Sequence, residues 1–270
     1  MSANTPNHAV VDASSGALLS DWIIPDWPVP PHVRALITTR NGGHSVGPFG
    51  NLQGVNGMNP AMHFGDDPEH VLRNRALLQA ALPAAPQWLK QVHGTAVVSL
   101  PDPAVQPVAD AALTRQARVV CAILTADCLP VLLTDRVGSV VACAHAGWRG
   151  LAAGVIEHTV QSMGVVNDQV IAYLGPAIGP TAFEVGEEVR QAFIDVNAQA
   201  AVAFTSIDGP PGKWYGDLYQ LARQRLSSLG VTAIYGGTFC TYSEPQRFYS
   251  YRRDKVTGHL ASLIWLDQGV

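Results

Sequence analysis

Residues Gly138 to Met163 read GSVVACAHAGWRGLAAGVIEHTVQSM, and the two halves of this stretch follow different periods. Gly138 to Ala144 is a small, apolar, β-branched run, the composition of a buried strand. From Gly150 onward the apolar residues Leu151, Val155, Ile156 and Val160 recur at helical spacing, which predicts an amphipathic helix to Met163. Strand, glycine-rich turn and helix in direct succession point to a chain that mixes sheet and helix in one core.

The same signals extend outward. Arg118–Leu124 (RVVCAIL) and Gln169–Leu174 (QVIAYL) predict further buried strands, and Val33–Thr39 (VRALITT) another, followed by a glycine-rich segment from Asn41 to Gly65. Asp67-Pro68-Glu69 predicts a helix start, with Asp as N-cap and Pro at the first helical position. Trp214–Leu229 predicts a second helix, stopped by Gly230. In the tail, RFYSYRRD and HLASLIWLD predict two strands joined by a Lys255–Gly258 turn. The expected class is α/β (mixed α+β) with a large mixed sheet.

With 47% hydrophobic and 14% charged residues in 270, the chain can bury a large core. It contains no repeat, low-complexity run or Gly/Ser linker, so one catalytic domain is expected over 22–270. Residues 1–21 read as a flexible polar leader without the basic and apolar regions of a secretory signal. A net charge of −4 argues against a general nucleic-acid binder, and no apolar run approaches the ~20 residues that span a bilayer. The four cysteines, Cys121, Cys128, Cys143 and Cys240, lack the spacing of a disulfide framework, so a reducing, cytoplasmic setting is expected.

Three blocks place reactive residues where apolar strands are expected to end: LKQVHG (Leu89–Gly94), LTADCLP (Leu124–Pro130) and AHAGWRG (Ala144–Gly150). Two imidazoles and a thiolate from His93, Cys128 and His145 would leave a tetrahedral zinc one open position, the pattern of a catalytic site. The same residues could instead cap strands and pack, since no C-x-x-C or H-x-x-x-H signature is present. A blue-copper centre lacks support: Met58, Met62 and Met163 are not close in sequence to Cys128, and no His follows that cysteine within a few residues. Cys143 shares a strand face with His145, yet Cys143, Cys121 and Cys240 read as packing residues.

Gly147-Trp148-Arg149-Gly150 would open a helix with free N–H groups and a guanidinium, a layout that suits phosphate. Arg40 in ITTRNGG and Arg252-Arg253 in FYSYRRD are further phosphate candidates, although each one alone is more often a surface salt-bridge former. Gly43-His44-Ser45-Val46-Gly47 matches G-x-S-x-G literally. Its expected strand ends earlier and Pro48-Phe49-Gly50-Asn51 follows in place of a helix, so the serine-hydrolase context fails. A Walker loop and a G-x-G-x-x-G fingerprint are absent.

TTRNGG, GDDPEHVLRNR, WLKQVHG, VADAALT, TADCLPVLL, AHAGWRGLAAGV, YLGPAIGP with FEVG, and FYSYRRDKVTGHLASLIWL occur in this order between Trp22 and Leu266. Together they resemble the laccase-domain family, also called YfiH-like and formerly multicopper polyphenol oxidases. The resemblance implies a layered α/β/β/α sandwich and a metal, zinc or alternatively copper, on His93, Cys128 and His145. It implies phosphorolysis of adenosine, inosine, guanosine and S-methyl-5′-thioadenosine with inorganic phosphate, and a companion adenosine deaminase activity. From the chemistry of that reaction, Arg40, Arg149, Arg253 and Asp127 are the substrate and phosphate candidates, and Asp127 and Asp110 are candidate proton carriers, although either could simply cap a turn. Copper-dependent polyphenol oxidation is one alternative, although the nine histidines form no H-x-H pair. Another is an amide hydrolase editing peptidoglycan precursors, with Cys128 as nucleophile and His145 as base. Expected partners are small molecules, with no nucleic acid and no membrane, and the expected state is a monomer or weak homodimer. One departure from the family pattern is the longer segment from Asn51 to His63, where a short Asn-Leu-Gly stretch is usual.

Overall fold

The computed structural model describes residues 21–209 and 211–267; apart from Asp21, the expected leader lies outside the described residues. Two sheets dominate. One is antiparallel with three strands, β1 (Val33–Ile37) and β5 (Val120–Thr125) flanking β13 (Leu260–Leu266). The other has six strands in the order β12 (Ala233–Gly236), β8 (Val170–Leu174), β6 (Leu129–Asp135), β7 (Val141–Ala146), β4 (Ala111–Thr114) and β3 (Val97–Ser99). It is mixed: β12 runs parallel to β8 and β3 to β4, while the inner pairs are antiparallel.

The period-two alternation of these strands builds the layers. On one face of the larger sheet Leu129, Val131 and Leu133 join Ala142, Ala144 and Ala146. They pack against Leu151 of α2 (Trp148–Ala153), Ile156 and Val160 of α3 (Val155–Met163), Phe193 of α4 (Glu187–Ile194) and Leu221 of α5 (Leu218–Ser228). The opposite face offers Ala112, Leu132, Val141 and Cys143 to Cys121, Ile123 and Ile264 of the smaller sheet. The far face of that sheet, with Ala122, Leu263 and Trp265, is covered by Leu78 of α1 (Pro68–Ala80) together with Trp22 and Met58. Helices, sheet, sheet and helix thus form the α/β/β/α sandwich. A small antiparallel sheet of β9 (Glu184–Gly186), β10 (Phe204–Ser206) and β11 (Lys213–Gly216) is also present. Among the described residues, no helix is long and apolar enough to cross a membrane.

Several local expectations need correction. The helix expected over Gly150–Met163 is two helices, α2 and α3, because Gly154 adopts φ 99° and closes the first. The helix expected from Trp214 begins at Leu218. Asp217 caps it by accepting the Gln220 N–H, and Trp214 and Tyr215 belong to β11, as their β-favouring aromatic character allows. RFYSYRRD is not a strand: Ser250 accepts the Arg253 N–H and starts a helical turn, α6 (Tyr251–Asp254). The Asp67 cap is as expected, its side chain accepting the Glu69 N–H.

Candidate metal centre

The site grows from one register position. Ala111 of β4 pairs with Ala144 of β7, so the next residue back, Asp110, faces His145. The His145 N–H donates to the Asp110 carbonyl at 2.7 Å, and its Nδ1 donates to Asp110 Oδ1 at 2.8 Å. That tautomer leaves Nε2 free to act as a ligand. Asp110 also accepts three successive backbone N–H groups, from Val92 (3.2 Å), His93 (2.9 Å) and Gly94 (2.7 Å). This nest curls the 92–94 segment, with His93 at φ 61°, and presents its imidazole to the site.

Cys128 arrives from the neighbouring strand. In the β6–β7 ladder Pro130 pairs with His145 and Leu129 with Ala146, so Cys128 lies opposite Gly147. A Cβ on Gly147 would stand 2.8 Å from His93 Cδ2 and 3.0 Å from Cys128 Sγ. At φ −61° the backbone tolerates any side chain, so the requirement for glycine here is one of space.

Cys128 Sγ lies 3.8 Å from His93 Nε2, and one donor atom from each of His93, Cys128 and His145 falls within 4.8 Å of the others. A tetrahedral zinc with Zn–S ~2.3 Å and Zn–N ~2.0 Å would place S and N about 3.5 Å apart. The donor set, its spacing and the carboxylate behind His145 therefore fit a metal with two nitrogen ligands and one sulfur. It is the one such cluster of three among the described residues.

The electrostatics favour the ligand-ready thiolate of Cys128 and the protonated form of His145. Burial pushes the Cys128 thiol up, but His145 and His93 beside it more than offset this and bring its pKa down to about 6. Burial pushes His145 down, yet Cys128 and Asp110 raise it to about 9. Asp110 is raised by burial and lowered further by hydrogen bonds from His145 and Gly94, with a net shift below the usual carboxylate range. The lowered Cys128 pKa favours the thiolate, the species that binds metal or attacks an electrophile, whereas His145 would have to give up its Nε2 proton to become a ligand.

His93 and Cys128 are not at the ends of apolar strands as expected: His93 sits in a loop, and Cys128 immediately precedes β6. The other predicted residues are placed differently again. Arg149 is exposed, two residues beyond Gly147, with its guanidinium 4.4 Å from the centroid of the Trp148 ring. Arg40 and Arg253 line a separate cleft of about 450 Å³. Their guanidinium groups are engaged on carbonyls, Arg40 on Gly50, Asn51 and Pro245, and Arg253 on Thr241, Tyr242 and Phe248. Asp127 does not face the cluster with a free carboxylate, since its oxygens accept from the Thr241 hydroxyl and the Arg252 N–H, each at 2.6 Å. Ser45 ends β2 (Asn41–Ser45), a strand the sequence reading did not place there. Its fully buried hydroxyl donates to Asp66, and a short 3-10 turn follows, so the nucleophile context is absent in the fold too. Cys121 and Cys143 pack between the sheets, as expected. The orienting role of Asp110 and the space left by Gly147 were missed; the Asp before VADAALT's strand and the Gly after AHA carry no distinctive signal alone.

The profile of the family described as multi-copper polyphenol oxidoreductase laccase matches residues 34–267. The chain belongs to this family. It is 52% identical to a purine nucleoside phosphorylase of Pseudomonas aeruginosa, over 92% of this chain and 99% of that protein. It is 51% identical to the purine nucleoside phosphorylase YfiH of Escherichia coli K12, over 92% of this chain and all of that one. Among solved structures, the Neisseria meningitidis protein NMB0706 superposes with a TM-score of 0.85 at 48% identity, covering 92% of this chain and 100% of that one. YlmD from Geobacillus stearothermophilus gives 0.79 at 29% identity, covering 88% and 93%. This laccase-family chain shares the fold of those structures across nearly its whole described length.

Proposed function

We propose that this laccase-family chain is a purine nucleoside phosphorylase acting on adenosine, inosine, guanosine and S-methyl-5′-thioadenosine, with adenosine deamination as a second activity. The observation that carries the reading is the His93–Cys128–His145 cluster, pinned by Asp110 and set beside the turn that bears Arg149. The names of its relatives support the same class.

In phosphorolysis a phosphate oxygen bonds to C1′ as the C1′–N9 bond breaks, and the electron pair leaves with the purine, which takes up a proton. Arg149, the exposed guanidinium nearest in sequence to the ligand turn, is assigned to hold the phosphate. Arg40 and Arg253, already engaged on carbonyls, are assigned to brace the loops. Asp110 fixes the orientation of His145 and acts through it. Deamination exchanges the amino group at C6 for a hydroxyl from water, releasing ammonia. Zinc on His93, Cys128 and His145 supplies, when bound, a Lewis acid able to lower the pKa of water towards ~7.

The oxidase alternative is disfavoured because the described residues offer one three-residue ligand cluster, where a multicopper centre needs several. The amide-hydrolase alternative competes for the same thiolate. Metal analysis of protein purified without added copper separates them. About one zinc per chain is expected, lost together with nucleoside cleavage in His93→Ala, Cys128→Ala and His145→Ala. Fully active protein without zinc would overturn the assignment.

A further inference from the structure

We infer that the stacked pair Phe64–His259 is the platform on which the purine ring of the substrate rests; this builds on the phosphorylase reading above. The two rings lie 3.9 Å apart at 29°, and Phe64 remains 52% exposed, so a large aromatic face is held out of the core. Exposed faces of this kind stack bases irrespective of which purine is offered.

The segment carrying Phe64 is firmly built. Asn59 Oδ1 accepts N–H groups from Ala61 (3.2 Å) and His259 (3.0 Å), tying the segment to the residue that precedes β13. Asn59 Nδ2 donates to Asp66 Oδ2 at 2.9 Å, and Ser45 donates to the same oxygen at 2.6 Å. Asn74 completes the network by donating to Ser45 Oγ and to the carbonyls of Gly57 and Asn59. The buried Ser45 and the long segment following Asn51 together hold the chain around Phe64 in place.

His259 links the platform to the site. It adjoins Leu260, which pairs with Thr125, three residues before Cys128. Its Nδ1 is buried with no hydrogen-bond partner among the described residues, so packing against Phe64, rather than hydrogen bonding through that nitrogen, orients the ring.

Steady-state phosphorolysis of adenosine by full-length Phe64→Ala, Phe64→Leu and Phe64→Trp tests this. Alanine and leucine should each raise KM for adenosine about tenfold or more while KM for phosphate stays within twofold, and tryptophan should restore the wild-type value. Leucine keeps an apolar side chain, so a role confined to packing would leave it active with unchanged KM, which would overturn the platform. If wild-type enzyme cleaves adenosine and all three variants match it, the platform alone is wrong. If wild-type enzyme cleaves no purine nucleoside, the phosphorylase reading falls and the platform with it.

Discussion

Asp110 Oδ1 accepts two hydrogen bonds at once, from His145 Nδ1 at 2.8 Å and from the His93 backbone N–H at 2.9 Å. One carboxylate therefore sets the position of two of the three candidate ligands. Asp110→Asn keeps the shape but turns an N–H₂ group towards donors. We expect it to weaken zinc binding by about 10–100-fold, the range found for partners behind metal-binding histidines. Competition with a chromogenic chelator measures this. Unchanged affinity would reduce Asp110 to a brace for the 92–94 loop.

Gly147→Ala tests whether the space opposite Cys128 matters. The backbone conformation accepts alanine, but the new methyl would press on His93 and Cys128 at 2.8 and 3.0 Å. Loss of at least most of the bound zinc, with the far-ultraviolet circular dichroism of wild type, is the expected result. A variant with full zinc would show that the site opens easily and that the glycine serves the turn alone.

The strand pairs explain why some of this was legible in the sequence and some was not. Val120–Thr125, Val141–Ala146 and Val170–Leu174 are buried on both faces and carry continuous apolar runs, so they stand out. Leu129–Asp135, central to the larger sheet, hid behind the reactive residues of LTADCLP and opens with a Leu-Pro pair. Its neighbour on one side is β7, next in the chain, and on the other β8, so its place depends on tertiary pairing. RFYSYRRD looked like a strand because aromatic residues favour sheets. Phe248 and Tyr249 are indeed fully buried, but the Ser250 cap and the Arg253 guanidinium claim the backbone groups that a ladder would need. The three candidate ligands were visible as residue types; that they converge follows from register, which residues 35 apart from Cys128 or Asp110 cannot announce.

Arg149 and Arg40 should behave oppositely. Arg149 is exposed and rests on Trp148, whereas Arg40 is buried on three carbonyls and lies over the Tyr249 ring. Arg149→Ala should raise KM for phosphate at least fivefold with little change for nucleoside or in melting temperature. Arg40→Ala should instead destabilise the fold by about 2–4 kcal/mol, since it strands buried carbonyls and leaves a void. Equal effects of Arg149→Ala on both KM values would point to packing in place of anion binding.

The most direct test of the phosphorylase assignment is the phosphate dependence of product formation from adenosine. With inorganic phosphate, chromatography should show adenine and ribose 1-phosphate. Without it, that cleavage should stop while slow conversion of adenosine to inosine continues, because phosphate attacks C1′ and water attacks C6 of the same bound nucleoside. His145→Ala should impair both routes if the cluster serves them jointly. Adenosine left unchanged under both conditions, while phenols are oxidised by a copper-loaded sample, would contradict the account.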